Sequence, residues 1–276
     1  MRKRSLFQRI SAMPHIVWMI MFIIVPMFFV IYFTLTDSNG NFSFSNISNV
    51  AYLGQYTDVF LLSIAFALIA TFICLIIGYP LAYFMANSSP KMQKIWLVLL
   101  MLPMWCNLLI RTYSLMALLD NGGILNSFLE SIGLERLYIV GSGFGVILGM
   151  VYDFLPYMVL PIFTVMTKLD KRYIEAAQDL GCNKFKTMTK VVMPLTLSGV
   201  ISGITMVFVP SISTFYISQK LGAGKIDLIG DTIERLFKNE TTYNVGAMIS
   251  LIMMVLIIIS VGIMNKFSDD DRGVII

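Results

Sequence analysis

The stretch TKLDKRYIEAAQDLGCNKFKTMTKVVMP, residues 167–194, is a long polar segment between two strongly apolar ones. It carries six basic and three acidic side chains, so it is suited to water rather than to lipid. Local rules predict its backbone. Asp170 caps a first helix through Leu180, Gly181 ends that helix in the left-handed conformation, and Asn183 caps a second helix that runs to Val192. The segment is therefore predicted to fold as helix, tight turn and helix beside the membrane.

The rest of the chain has the composition of an integral membrane protein. Of its 276 residues 57% are hydrophobic and only 13% are charged, and the mean hydropathy is +0.80, whereas soluble domains carry about 25% charged residues. The apolar runs are near the roughly 20 residues that cross a bilayer as a helix and do not alternate as membrane strands do. We predict an all-α fold in one domain, residues 1–276, with six transmembrane helices at about 15–35, 59–86, 95–119, 143–166, 195–217 and 245–264.

The distribution of positive charge predicts the orientation of these spans. Fourteen of the twenty Lys and Arg residues fall in segments on one side, five fall on the other, and Arg111 lies within a span. Because cytoplasmic loops carry the excess of positive charge, both termini and residues 168–194 are predicted to be cytoplasmic. The first apolar run is too long for a signal-peptide core, so we expect a retained helix. Residues 124–132 and 226–237 show helical apolar periodicity and are predicted to form amphipathic helices outside.

Several classes of active site are disfavoured by the residues present. Three scattered cysteines suggest no disulfide framework, and a single histidine, His15, offers neither a metal cluster nor a catalytic relay. Residues 219–226 have the approximate spacing of a phosphate-binding loop. However, Gln219 stands in place of its first glycine and Ile226 in place of its Ser or Thr. We therefore expect no catalytic residues, metal or cofactor in this chain.

The polar segment is open to more than one interpretation from its residues alone. It could be a plain cytoplasmic loop whose basic side chains obey the orientation rule. A helix-turn-helix for nucleic acid is a remote alternative, and we expect no nucleic-acid partner. Ala176 and Ala177 would leave a flat surface that another protein can approach closely.

The spacing within this segment resembles a known motif. Its relevant residues are Glu175, Ala176, Ala177, Gly181, Val191, Val192, Met193 and Pro194. They resemble the EAA motif of the membrane-spanning permeases of binding-protein-dependent ABC importers: EAA, three residues, Gly, nine residues, then Ile-x-Leu-Pro. Val191 and Met193 replace the usual Ile and Leu. Other stretches are similar to the first permease subunit of spermidine/putrescine importers: Gly78–Pro80, Leu102–Tyr113, Val151–Val159, Lys168–Lys171 and Phe215–Gly230.

The resemblance implies a type I ABC importer permease in a bacterial cytoplasmic membrane, with a cytoplasmic EAA coupling helix. It implies a second permease subunit, two cytoplasmic ATPase subunits that hydrolyse the ATP, and an external polyamine-binding protein. The coupling residues it implies are Glu175, Ala176, Ala177, Gly181 and Pro194. An importer permease for another small solute remains an alternative. An ion-coupled secondary transporter is less favoured, because the chain shows no convincing internal repeat.

A polyamine is a flexible polycation, so its path should offer carboxylates and aromatic faces. Asp153 is the one acid within a span, roughly 15 Å deep at 1.5 Å per residue. It would contact the substrate or pair with Arg111, which lies at a similar depth, and the sequence favours neither. The other candidates for the path are Trp105, Asn107, Tyr113, Tyr152 and Tyr216. Each alone is more often an interfacial or packing residue, but their concentration on spans three to five favours a path.

Overall fold

The computed structural model describes residues 6–36, 41–43 and 50–270. Within these ranges the chain is helical and contains no β-strand, only an isolated antiparallel bridge between Thr36 and Phe42. The helices up to the polar segment are α1 (Leu6–Met19), α2 (Val25–Thr34), α3 (Val50–Ala86), α4 (Pro90–Trp105), α5 (Leu108–Leu119), α6 (Ile124–Ser131) and α7 (Gly143–Met166). The remaining helices are α8 (Lys171–Asp179), α9 (Lys184–Thr187), α10 (Met193–Leu195), α11 (Leu197–Ser213), α12 (Tyr216–Leu221), α13 (Ile229–Phe237) and α14 (Tyr243–Asp270).

Four helical segments of the described chain are long and apolar enough to cross a membrane: Met13–Thr34, Gly54–Ala86, Gly143–Met166 and Glu240–Met264. Two further pairs of helices pass the same test together, each bent at a short break. The predicted all-α class is therefore confirmed. Six spans result if each bent pair crosses the membrane once, and the boundaries predicted from the sequence remain predictions.

The region predicted as one helix at 95–119 contains a sharp break. Helix α4 and the segment Leu108–Ser131 are bent by 92° relative to one another. Pro103 removes a backbone donor near the end of α4, and Cys106 is extended with ψ at 144°. Asn107 then starts α5, because its side-chain oxygen accepts a hydrogen bond from Leu109 N at 2.8 Å. Asn107, predicted from the sequence only as a lining residue, is therefore also a helix cap.

The second bent pair follows the polar segment. Segments Lys184–Leu195 and Leu197–Ser213 are bent by 68° about Thr196. The Thr196 hydroxyl donates to the carbonyl of Val192 at 2.8 Å and lies 3.0 Å from the Tyr79 hydroxyl on α3. This buried pair of hydroxyls fixes the bend to a neighbouring helix.

Two π-helical turns, Ile20–Ile24 and Met188–Val192, widen the helices that contain them. Each turn ends two residues before a proline, Pro26 in α2 and Pro194 in α10. A proline ring clashes with the carbonyl four residues earlier in a regular α-helix, and a wider turn relieves that clash. The chain therefore continues as helix through both prolines.

The chain divides into two compact units, each with its own packing. The first comprises residues 1–57 and 232–256. In it the Tyr243 ring lies 4.8 Å from the Phe33 ring and 4.7 Å from the Phe237 ring, between ring centroids. Asn244 donates a hydrogen bond to the carbonyl of Thr36 at 2.8 Å. The apolar side chains of the Met13–Thr34 segment are otherwise largely exposed.

The second unit comprises residues 58–231 and 257–276, and its core lies around α7. Gly199 and Gly203 of α11 face α7 closely, because a side chain at Gly203 would place its Cβ 2.8 Å from Met158 Sδ. Small residues four apart allow helix backbones to approach one another in membranes. Helices α7 and α11 therefore pack closely at the centre of the second unit.

Candidate functional site

The polar segment folds as its local sequence predicts. The Asp170 carboxylate accepts a hydrogen bond from Arg172 N at 3.0 Å, which caps α8. Gly181 has a φ of +84°, a left-handed conformation that favours glycine. The Asn183 side chain accepts from Lys186 N at 2.8 Å and caps the next helix. The helix, turn and helix are therefore confirmed, and the second helix continues through the π-turn to Leu195.

Helix α8 and the turn after it present an apolar and charged face to solvent. Glu175 and Ala176 are exposed, whereas Ala177 is buried, so only one of the two alanines contributes to the predicted flat surface. The side chain of Leu180 is 87% exposed and that of Phe185 is 75% exposed. Large apolar side chains at such exposure beside basic residues indicate a surface that another protein covers.

The opposite face of α8 sits against the turn between α3 and α4. A cavity of about 150 Å³ lies there, and Ile174 of α8 lines it together with Val192. Gln93 fixes the turn, because its amide donates to the carbonyls of Ala86 at 2.8 Å and Ser88 at 3.1 Å. The ends of α3, α4 and α7 line the same cavity as α8.

Arg111 and Asp153 form an ion pair inside the second unit. The Asp153 side chain is fully buried and that of Arg111 is 6% exposed. The Thr112 hydroxyl donates to Asp153 Oδ2 at 3.0 Å. The Arg111 guanidinium also donates to the carbonyls of Pro103 and Asp153, each at 3.2 Å. Arg111 thus connects the end of α4, the start of α5 and the middle of α7 across the 92° break.

This arrangement bears on the two roles open to Asp153. Both oxygens of the carboxylate are engaged by Arg111 and Thr112, and the side chain is shielded from solvent. A buried charge with a hydrogen-bonded partner needs no further cation. The geometry therefore favours internal pairing over contact with a solute. Thr112 was not identified from the sequence, although its position beside Arg111 is a signal that could have found it.

Three of the four aromatic candidates lie next to cations of the chain itself. The Arg111 guanidinium carbon is 5.8 Å from the centroid of the Tyr152 ring. The Lys220 ammonium is 4.8 Å from the Tyr113 centroid and 5.6 Å from the Tyr216 centroid. Lys220 was also missed in the sequence, although its spacing of four residues from Tyr216 places both on one face of α12.

The structure does not gather all the predicted path residues at one place. Trp105 ends α4 with its side chain largely exposed, and Asn107 caps α5. An apolar cavity of about 620 Å³ is lined by other residues: Leu75, Ile76, Tyr79, Pro80, Met193, Pro194, Leu197 and Val200. Pro194 therefore lines this apolar cavity and also belongs to the second helix of the polar segment.

The loop that precedes α13 is held by a buried acid. Asp231 accepts a hydrogen bond from Leu228 N at 2.9 Å, and the Ser63 hydroxyl accepts one from Ile229 N at 2.8 Å. Burial raises the pKa of the Asp231 carboxyl, against the opposing effect of hydrogen bonds from Ser218 and Leu228. The loop therefore has a fixed backbone and a carboxyl that resists ionisation.

Comparison with known proteins matches the chain along most of its length. The profile of the family described as "Binding-protein-dependent transport system inner membrane component" matches residues 78–271. The spermidine/putrescine transport system permease protein PotB of Haemophilus influenzae is 36% identical over 91% of this chain and 90% of its own. PotB of Salmonella typhimurium is 36% identical over 92% and 91%.

A solved structure shares the fold. A subunit of a bacterial ABC transporter involved in the import of the acidic polysaccharide alginate superimposes with a TM-score of 0.80. The superposition covers 97% of this chain and 96% of that one, at 16% sequence identity. At this identity the likeness shows the fold alone, which is that of an ABC importer permease.

Proposed function

Because the chain belongs to the family of inner membrane components of binding-protein-dependent transport systems, we propose that it moves polyamines into the cytoplasm as one permease subunit of an ABC importer. We infer the substrate class from the 36% sequence identity to spermidine/putrescine permeases, which extends over about nine-tenths of both chains. The aromatic residues Tyr113, Tyr152 and Tyr216, each beside a cation, suit the passage of ammonium groups.

The energy for transport comes, in this proposal, from ATP hydrolysis on two separate cytoplasmic ATPase subunits. Helix α8 docks on one of them through Glu175, Ala176 and the exposed Leu180, with Gly181 setting the turn. The exposed apolar side chains support this role, since they would otherwise lie in water. Ala177 and Pro194 hold the docked segment against the membrane helices, and the contact of Ile174 beneath the α3–α4 turn transmits its movement.

The remaining partners and the topology follow from the same proposal. A second permease subunit completes the pathway, and an external polyamine-binding protein delivers the substrate. The chain is a multi-pass membrane protein, here with one permease domain, residues 1–276, six spans and both termini in the cytoplasm. The excess of Lys and Arg in the segments assigned to the cytoplasm supports this orientation.

Uptake into proteoliposomes tests the proposal. The complete complex, with its second permease, ATPases and binding protein, should accumulate labelled spermidine or putrescine only with ATP, and ionophores should have no effect. Uptake of another solute instead would support an importer with a different substrate. Uptake that collapses with ionophores and ignores ATP would contradict the assignment and favour a secondary transporter.

Substitutions on α8 and in the turn after it test the coupling role. Glu175→Lys or Gly181→Asp should leave the protein inserted in the membrane yet lower ATP-driven uptake at least about tenfold, because each disturbs the docking face or its turn. Glu135→Lys is the matched control, since Glu135 is also exposed but lies far along the chain on the predicted outer side. Normal uptake in both Glu175→Lys and Gly181→Asp would count against the docking role.

A further inference from the structure

The Lys220 ammonium lies between two tyrosine rings that the proposed function places beside the substrate's path. It is 4.8 Å from the Tyr113 centroid on α5 and 5.6 Å from the Tyr216 centroid on α12. Both distances fall within the roughly 6 Å over which a cation is attracted to an aromatic face. The two rings therefore form a site that already recognises a primary ammonium group.

Lys220 differs from the other cation of this region in how firmly it is held. Arg111 is buried and bound by a carboxylate and two carbonyls. Lys220 is half-buried, and among the residues that the structure describes its ammonium pairs with no carboxylate. Within the described part of the chain, the contacts of this ammonium are the two rings, and one of them, Tyr113, is 50% exposed. The ammonium of Lys220 is therefore accessible and weakly bound.

The side chain of lysine is a flexible four-carbon stem that ends in a primary ammonium. An aminobutyl arm of a polyamine has the same chemistry, so both groups fit the same pair of rings. We propose that Lys220 is a tethered occupant of an ammonium site formed by Tyr113 and Tyr216, and that the polyamine displaces it during passage. This inference rests on the proposed function and names one of its substrate sites.

The Lys220 ammonium is covalently attached to the chain beside the two rings, and this attachment has a physical consequence for transport. A free polyamine must compete with an ammonium that is held beside the site at high effective concentration. Lys220 thereby weakens substrate binding at this point, and after the substrate has left it refills the site. A polycation that binds weakly at each point of its path can also leave it, as conduction through a pore requires.

Kinetics of uptake by the complete complex test the competition. Lys220→Met removes the cation and keeps the length of the stem, so the KM for putrescine should fall about two- to fivefold, the range that corresponds to one exposed cation–π contact. Lys220→Arg should keep the KM near that of the wild type. Lys225→Met removes a nearby exposed positive charge without touching the rings and serves as the control for general electrostatics.

The proposal further predicts that the effect depends on the rings. In a Tyr113→Leu background, Lys220→Met should no longer lower the KM, because the site for either ammonium is lost. A KM that stays unchanged or rises in Lys220→Met, or falls equally in Lys225→Met, would overturn the inference. A lowered melting temperature without a change in KM would show a purely structural role and would also overturn it.

Chemical labelling of Lys220 tests the displacement of its ammonium separately from the proposed import of polyamines. Putrescine added to the complex should increase the rate at which an amine-reactive reagent labels Lys220, read by mass spectrometry, whereas Lys225 should be unaffected. Wild-type uptake with no change in Lys220 labelling would refute the tethered occupant alone. Absence of polyamine uptake by the wild type would refute the proposed function as well.

Discussion

Removal of the Asp153 charge should show how much the Arg111–Asp153 ion pair contributes to the free energy of unfolding. Asp153→Asn leaves the Arg111 guanidinium buried without its carboxylate. Breaking a buried ion pair by removing one partner costs about 3–5 kcal/mol. Arg111 would keep its hydrogen bonds to the carbonyls of Pro103 and residue 153. We therefore expect a loss at the lower end of that range, about 3 kcal/mol.

The double variant separates pairing from contact with the substrate. Arg111→Gln alone should cost at least about 3 kcal/mol, so independent effects would add to about 6 kcal/mol. Because the double variant leaves no unpaired charge, we expect it to lose only about 2–3 kcal/mol and to regain part of the uptake lost in Asp153→Asn. The free energy of unfolding is measured by detergent denaturation of the purified complex, followed by circular dichroism.

Two results would refute this reasoning. Additive losses in the double variant would show that the two side chains do not stabilise one another. A loss below about 0.5 kcal/mol in Asp153→Asn, together with abolished uptake, would show that Asp153 contacts the substrate instead. Thr112→Val supplies an internal check, since it removes only the hydroxyl that donates to Asp153 and should cost about 1–2 kcal/mol.

Three smaller changes test other parts of the structure. Gly203→Ala should lower the melting temperature, because overpacking against Met158 costs about 1–3 kcal/mol, whereas Gly262→Ala should not, since a Cβ there meets no atom within 4 Å. Asn126→Ala removes hydrogen bonds to Asp120 and Leu137, so faster hydrogen exchange over residues 120–138 is expected, and unchanged exchange would contradict it. The folded pKa of Asp231 is raised above its unfolded value of about 3.9, so the stability it contributes is present below that pH and is lost as pH rises through the folded pKa. Asp231→Asn should therefore be more stable than the wild type at neutral pH, with the gap in melting temperature closing towards about pH 4; a gap independent of pH would contradict this account.

The sequence predicted the local backbone of the polar segment well and the full length of its second helix less well. The caps at Asp170 and Asn183 and the left-handed turn at Gly181 were all found in the structure. These features depend on contacts within three residues, which local rules describe well. The second helix of the polar segment was predicted to end near Val192, but a π-turn carries it to Leu195. That extension depends on how the helix accommodates Pro194, which residue propensities do not describe.

By itself the sequence determined that this is a membrane protein with an all-helical fold, because the length of the apolar runs and the distribution of charge reflect the thickness and orientation of the bilayer. It also determined the polar segment and its turn, because capping residues act on the backbone next to them. Only the tertiary structure decided which groups meet. Arg111 joins Asp153 from 42 residues away along the chain, and Lys220 reaches Tyr113 from a different helix. The 92° break between α4 and the segment Leu108–Ser131 comes just before Arg111 and Tyr113 and changes where these two side chains lie. The energy of a buried charge depends on what surrounds it in space, and spacing along the chain does not fix that environment.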